Sequence, residues 1–272
     1  MVNDSPFKVA TMLENVNYLW RLSVTGVCFA LFSIGGSLLT ALVFPPLRLL
    51  PGGEAERNRR TQALIQRFFA VLIGLLRALG VMRLELHNAE MLRRCGGMLV
   101  FANHPSYLDV VVMLSLMPRS SCVVNSRLWR SPFWGGVVRS AGYIRNDAPE
   151  TLVDDCVAAL EGGEPLIIFP EGTRSVPGQP PRMPRGAAHI ALKSGRDILP
   201  VILTCDPPTL TKAMPWYRIP RHAFTFRLEV RPPLKVADCV GISEPASLAA
   251  RKLTTYLESY FTRELNHHER CN

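Results

Sequence analysis

The stretch "MLVFANHPSYLDVVVM", residues 98–113, changes character twice within a few positions. An apolar run, 98–102, has the length of a buried strand. Asn103-His104-Pro105 breaks it, and Pro105 is acceptable in the first turn of a helix. A helix is therefore expected to begin near Pro105 or Ser106. His104 is then placed at a strand-to-helix corner, with Asp109 one turn into the helix.

The same alternation continues down the chain. Short apolar runs at 121–125, 165–169, 199–204 and 223–230 read as further strands. Between them lie helical stretches. One is 149–161, where Leu152, Val153, Cys156, Val157 and Leu160 share a face and Gly162 can close the end. Another is 185–194, stopped by Gly195. Leu253, Tyr256, Leu257, Tyr260 and Phe261 repeat at helical spacing near the C-terminus. The pattern predicts the α/β class: a mixed sheet flanked by helices. The proline-rich stretches "VPGQPPRMP" (176–184) and "DPPTLTKAMPWYRIP" (206–220) are expected to be loops.

Ahead of this region, 22–47 holds no charged residue: "LSVTGVCFALFSIGGSLLTALVFPPL". That is long enough for a spanning helix, which needs about 20 mainly apolar residues, and Pro45-Pro46 are expected to end it. A buried core helix is the competing reading. Arg48, Arg57, Arg59, Arg60 and Arg67 follow the run, against Lys8 and Arg21 before it. If the run spans, this bias puts its C-terminal side in the cytoplasm. A second apolar piece, 68–82, is too short to span easily and holds Arg77, which suits a helix lying in the interface. One span plus an interfacial helix, or a two-helix hairpin dipping into one leaflet, both fit. The expected division is a membrane-anchoring helical segment over 1–83 and an α/β domain over 84–272.

Composition agrees with such a plan. The 272 residues are 48% hydrophobic and 19% charged, below the roughly 25% charged of an average chain. The net charge of +9 suits nucleic acid, an anionic membrane or an acidic substrate. No nucleic-acid motif accompanies it, and the arginines beside the apolar run suit lipid headgroups better. Seven cysteines, Cys28, Cys95, Cys122, Cys156, Cys205, Cys239 and Cys271, are scattered singly. They read as reduced thiols, with no disulfide frame or zinc site.

The chemistry concentrates at two strand ends. An acid bonded to one imidazole nitrogen fixes the tautomer and leaves the other nitrogen as a base. His104 and Asp109 have the spacing for it, although an acid in a first helical turn is also favoured by the helix dipole alone. No GxSxG elbow is present, so the base would act on a hydroxyl brought by a substrate. A metal site lacks a third ligand at suitable spacing. The second strand end is "PLIIFPEGTRS", 165–175. Glu171, Gly172 and Arg174 fall together there, either as a turn with a salt bridge or as a guanidinium fork for phosphate oxygens. Gly172 is read as permitting close backbone approach.

Together these residues resemble the glycerophospholipid acyltransferases of the bacterial 1-acylglycerol-3-phosphate acyltransferase type. The family's NHxxxxD motif is matched by Asn103, His104 and Asp109, and its FPEGTRS motif from Phe169 to Ser175. "GYIRND" with Arg145 stands for the motif between them, and Leu199-Pro200-Val201 for the last. The resemblance implies that His104 deprotonates an acceptor hydroxyl with Asp109 supporting it, and that the alkoxide attacks an acyl thioester. It implies no metal and no cofactor, with acyl-CoA or acyl-carrier protein as co-substrate. Asn103, Glu171, Gly172, Thr173 and Arg174 are implied to shape the acceptor site, with Arg174 and Arg145 on phosphate. Arg185 falls where the family often has a lysine. The implied partners are membrane lipid and a lysophospholipid, 1-acylglycerol-3-phosphate first, and no nucleic acid. The implied location is the bacterial inner membrane with the catalytic domain on the cytoplasmic face. Only one clear arginine in "GYIRND", where the family often has two, keeps other acceptors open: a lyso-ornithine lipid or an aryl-polyene-type precursor. A catalytically silent protein that binds acidic lipid is the alternative outside enzymes.

Overall fold

A computed structural model of the chain describes residues 5–176, 178–212, 214–239 and 245–271. Residues 1–4 of the expected anchor segment, and Pro177 and Ala213 of the two expected loops, lie outside the described residues. Seven strands form one sheet: β1 (Met82–His87), β2 (Leu99–Ala102), β3 (Ser121–Val124), β4 (Ile144–Arg145), β5 (Leu166–Ile168), β6 (Ile198–Asp206) and β7 (Phe224–Val230). Their order is β1-β7-β6-β2-β5-β3-β4. Every neighbouring pair is parallel except β6 with β7, so the sheet is mixed as expected. β2 and β5 lie side by side and point the same way. Their carboxyl ends, where His104 and Glu171 follow, therefore open on the same edge, the edge at which open α/β sheets bind ligands.

Ten helices accompany the sheet among the described residues: α1 (Ser5–Leu38), α2 (Phe44–Leu49), α3 (Glu54–Ala78), α4 (Leu108–Leu116), α5 (Ser126–Trp129), α6 (Gly135–Ser140), α7 (Pro149–Glu161), α8 (Gly186–Ser194), α9 (Val236–Cys239) and α10 (Ala246–Cys271). The two faces of the sheet are covered separately. Strand side chains alternate between them with period two. Val100 and Ala102 of β2 join one core with Ile65, Phe69, Leu72, Ile73 and Leu76 of α3 and Val111, Val112 and Met113 of α4. Leu99 and Phe101 join the other, with Cys156 and Leu160 of α7, Ile190 of α8 and Leu253, Leu257 and Phe261 of α10. The six cysteines from Cys28 to Cys239 are free thiols.

The N-terminal segment differs from expectation in four ways. Pro45 and Pro46 do not end the helical path. They occupy the first turn of α2, reached through a π-helical turn at Leu39–Val43. Widening that turn accommodates residues that cannot donate a backbone hydrogen bond. The second apolar piece is the latter half of α3, a 25-residue helix whose polar first half has no apolar signal. Side chains clip α3 to the domain: Gln62 Nε2 donates to Ala141 O at 3.1 Å and Gln66 Nε2 to Ser115 O at 2.8 Å. A boundary at 83/84 falls inside β1, which pairs with β7 along its full length. The N-terminal helices thus supply a layer of the core.

α1 presents a different surface. Its outward face exposes Met12, Val16, Leu19, Trp20, Val27, Leu31 and Ile34, each at least 45% exposed. Its inner face rests on the domain along much of its length. Val24 and Cys28 are buried on it, Phe32 packs on Trp134 at 4.3 Å between ring centroids, and from the edge of the outer face Trp20 Nε1 donates to Leu79 O at 3.1 Å. Gly36 is needed where it is: a Cβ there would come within 2.9 Å of Phe133 O and of the Trp134 ring. Met12–Leu47 and Glu54–Ala78 are both long and apolar enough to cross a membrane.

Candidate active site

The corner after β2 is tighter than the sequence predicts. α4 begins at Leu108, three residues later than Pro105, and 103–107 form the turn. Within it, His104 Nδ1 lies 2.6 Å from Asp109 Oδ2. The same oxygen accepts the Ser106 backbone N–H at 2.7 Å, and Ser106 Oγ accepts Leu108 N–H at 3.3 Å. Ser-x-x-Asp here makes one of the two bonds of a capping box, Asp109 to the Ser106 N–H, while the Ser106 hydroxyl reaches the Leu108 N–H in place of the Asp109 N–H. The two readings of Asp109, helix cap and imidazole partner, therefore hold together at one oxygen. With Nδ1–H directed at the carboxylate, Nε2 is left to accept a proton.

Asp109 is completely buried, and its other oxygen, Oδ1, has no partner. Burial pushes its pKa up to about 6, against the opposing pull of His104 and the Ser106 N–H. At neutral pH the carboxyl is still ionised, and it faces an imidazole that is only 17% exposed. A buried anion at this distance stabilises the imidazolium far more than a solvated one would. The Phe169 ring packs on the His104 ring at 4.5 Å between centroids and restricts its rotation.

The loop after β5 is bonded to this corner. Glu171 Oε1 accepts His104 N–H at 3.1 Å and Ser175 Oγ–H at 2.7 Å, and Ser175 N–H donates to His104 O at 2.7 Å. Burial raises the Glu171 pKa, opposed by the Ser175 and His104 bonds. Gly172 lies at φ +67°, and a Cβ there would meet nothing within 4 Å. The left-handed backbone of this turn by itself favours glycine, and the open space beside it leaves the backbone approachable. Gly172 and Thr173 are exposed beside the corner.

Arg174 is fixed by a third segment. Its Nη1 donates to Leu210 O at 3.2 Å, and its guanidinium carbon lies 3.6 Å from the Tyr107 ring centroid. Leu210 O also accepts Tyr107 N–H at 3.2 Å, and Thr209 O accepts Ser106 Oγ–H at 3.1 Å. Leu210 has φ +55°, a conformation unfavourable for leucine that aims its carbonyl at both donors.

Three expected site residues are placed elsewhere or otherwise engaged. Asn103 is 2% exposed, and both ends of its amide bond the Leu203 backbone, at 2.8 and 2.7 Å. It pins β6 to the His104 corner and has little left for a substrate. Arg145 ends β4, three strands from β2, about 14 Å at ~4.8 Å per strand. It pairs with Asp147 at 3.1 Å. Arg185 is exposed at the start of α8. Among the described residues no contact joins Arg145 or Arg185 to His104. Ser106, Ser175, Phe169 and Tyr107 were missed as contributors. The Ser106-to-Asp109 capping spacing and the ends of the 169–175 run could have signalled three of them. Leu210 carries no sequence signal, because only its carbonyl is used.

A family model described as Acyltransferase matches residues 83–204, which contain every element of this corner except the 209–210 turn. Over that region the chain is similar to the acyltransferase family. The chain is 33% identical over 116 residues to a 1-acyl-sn-glycerol-3-phosphate acyltransferase from Helicobacter pylori, covering 40% of this chain and 48% of that one. It is 32% identical over 110 residues to the coconut (Cocos nucifera) protein of the same name, covering 38% of this chain and 35% of that one. The matched region thus spans about half or less of these relatives' length. In structure it resembles the 1-acyl-sn-glycerophosphate acyltransferase PlsC from Thermotoga maritima, with a TM-score of 0.63 at 19% identity over 93% of this chain and 98% of that one. That likeness extends the common fold through the N-terminal helices.

Proposed function

We propose that this protein transfers an acyl chain from a thioester to the free hydroxyl of 1-acylglycerol-3-phosphate, giving phosphatidic acid. The observation that carries the reading is the 2.6 Å His104–Asp109 contact at the carboxyl edge of the sheet. His104 Nε2 takes the hydroxyl proton as the oxygen attacks the thioester carbonyl. Asp109 supports the imidazolium, which then returns the proton to the departing thiol. A positioned base of this kind contributes roughly 10²–10⁴-fold, and holding donor and acceptor together contributes more. No covalent acyl-protein stage is needed, and the donor is acyl-CoA or acyl-carrier protein.

Arg174 is the phosphate contact in this scheme. Tyr107 and Leu210 hold it beside the loop that bonds His104, so little side-chain freedom remains to be lost on binding. Arg145, Arg185 and the exposed Gly172-Thr173 backbone are further positions from which an acceptor headgroup can be met. The names of the relatives support this acceptor over a lyso-ornithine lipid or an aryl-polyene-type precursor.

The protein lies on the cytoplasmic face of a bacterial inner membrane, held from one side. Residues 20–44 rest on the α/β domain, a length of about 36 Å at 1.5 Å per residue. A bilayer core is ~30 Å thick, and a helix crossing it would have to leave the domain along that length. The apolar outer face of α1 is instead available to enter one leaflet.

Lipid mass spectrometry tests the acceptor. Purified full-length protein, given an acyl thioester and separate lyso-acceptors, is expected to acylate 1-acylglycerol-3-phosphate well ahead of monoacylglycerol, which has the hydroxyl but no phosphate. Equal use of both would remove phosphate recognition from the account.

A further inference from the structure

Arg21 and Thr25 stand one helical turn apart on the inner face of α1, 7% and 5% exposed. Arg21 Nε and Thr25 Oγ1 are both buried without a hydrogen-bond partner, and no ion pair joins Arg21 to another described residue. Both border one cavity of about 280 Å³, roughly nine water volumes at ~30 Å³ each. The rest of its wall is largely apolar: Phe29 of α1, Leu76 of α3, Val111 of α4 and Phe224 of β7 contribute. Tyr107 and Leu210 also border it. These are the two residues that hold the Arg174 guanidinium, so the cavity adjoins the catalytic corner.

An apolar cavity of this shape beside a lipid-modifying corner suits an aliphatic chain. A plain chain, however, gives nothing to two buried donors. A guanidinium is always charged, and leaving its buried Nε–H without an acceptor in an apolar wall is unfavourable unless a ligand completes it. Methionine and valine at these positions would serve a plain chain better. At membrane depth, an ionisable side chain facing the protein interior marks a functional position. We propose that this cavity takes an aliphatic chain carrying an oxygen acceptor, and that Arg21 and Thr25 donate to that oxygen. The protein then prefers oxygenated chains to plain ones. The assignment of the chain to a reacting substrate rests on the acyl-transfer reading; the chain's recognition does not.

The test has a binding arm and a turnover arm, both on the full-length protein in detergent. Tetradecanoic acid is compared with tetradecanoic acids hydroxylated near the carboxyl, at mid-chain or at the far end. A hydrogen bond from a charged donor corresponds to about 10-fold or more in affinity, so at least one hydroxylated chain should bind about 10-fold tighter than the plain one. The double substitution Arg21→Met with Thr25→Val should abolish that preference and leave plain-chain binding within about threefold. Thr25→Val alone keeps the side-chain shape and should cut the preference severalfold. Without ligand, Arg21→Met should raise the melting temperature, because it removes a buried N–H that has no acceptor. The same chains are then offered on the thioester and on the 1-acyl position of the acceptor, and preference in either arm identifies which substrate brings the chain. A wild type that binds all four chains within twofold overturns the proposal. So does a double variant that keeps the preference. Selective binding without any acyl transfer upholds this proposal and removes the transfer reading instead.

Discussion

At the scale of single residues, Asp109 is the decisive group because its carboxylate does two things at once. It bonds His104 and it caps α4 through Ser106. Its pKa near 6, set by burial, predicts a pH dependence whose sign can be worked out. As pH falls through about 6 the carboxyl takes a proton, the imidazolium loses its counter-charge, and turnover should drop. A kcat profile between pH 5 and 8 checks this. Stability moves the other way. The folded-state pKa is raised above the model-peptide value of ~3.9, so the folded protein binds the extra proton first. This group's unfavourable contribution is present above pH 6 and is relieved as the pH falls towards 4. Asp109→Asn should therefore lose about 10²–10⁴-fold in kcat with no fall in melting temperature at pH 7.5. A large fall in melting temperature with activity retained would contradict the catalytic reading.

Arg174 and Asn103 separate binding from positioning. Arg174→Ala should raise KM for 1-acylglycerol-3-phosphate by roughly 10–150-fold, the equivalent of about 1.5–3 kcal/mol. Arg174→Lys should recover only part, since lysine loses the planar fork and its stacking on Tyr107. Asn103→Ala should behave differently. It leaves the Leu203 N–H and C=O unpaired in the interior, at about 1–3 kcal/mol, and should lower the melting temperature while KM changes little. His104, Asp109, Glu171 and Arg174 were legible in the sequence because motif spacing encodes strand ends. The work of Asn103 was not, since its partner is the backbone of Leu203, 100 positions away.

At the scale of elements, α3 carries the clearest prediction. Ile65, Phe69, Leu72, Ile73 and Leu76 are at most 5% exposed. At about 1.5–3 kcal/mol for each buried apolar side chain, together they approach the ~5–15 kcal/mol stability of an entire domain. Deleting 1–82 should consequently leave an α/β region that does not fold, rather than a soluble enzyme freed from its anchor. Circular dichroism and retention on gel filtration of the 83–272 fragment check this. Leu72→Ala alone should cost about 2–5 kcal/mol. The helices α7, α8 and α10 and five of the seven strands were legible from periodicity and from Gly162 and Gly195. β1 and β4 were not. β1, Met-Arg-Leu-Glu-Leu-His, alternates apolar and polar residues over only six positions and has no apolar run, and β4 has only two residues. The first half of α3 meets the domain largely through polar side chains such as Thr61 and Gln62, so its sequence shows little apolar pattern to read.

At the scale of the whole molecule, the apolar outer face of α1 and the sheet edge carrying His104 are the two features on which the proposal of work at a membrane rests. Under the proposed function, α1 offers its outer face to lipid while its inner face completes the protein, and the sheet's carboxyl edge holds His104 and Asp109 as the proton-transfer pair. The α/β class and the site's place at two adjacent strand ends could be read from 98–113 and 165–175. The joining of the helical segment to the domain could not, because hydropathy reports how apolar a helix is and not which neighbour it covers. The most direct measurement is acyl transfer by purified full-length protein, with free thiol and phosphatidic acid counted in the same reaction. The account predicts one thiol released per phosphatidic acid formed from 1-acylglycerol-3-phosphate, and a loss of about 10²–10⁴-fold in a folded, membrane-bound His104→Ala variant. Substantial phosphatidic acid formation by that variant would contradict it.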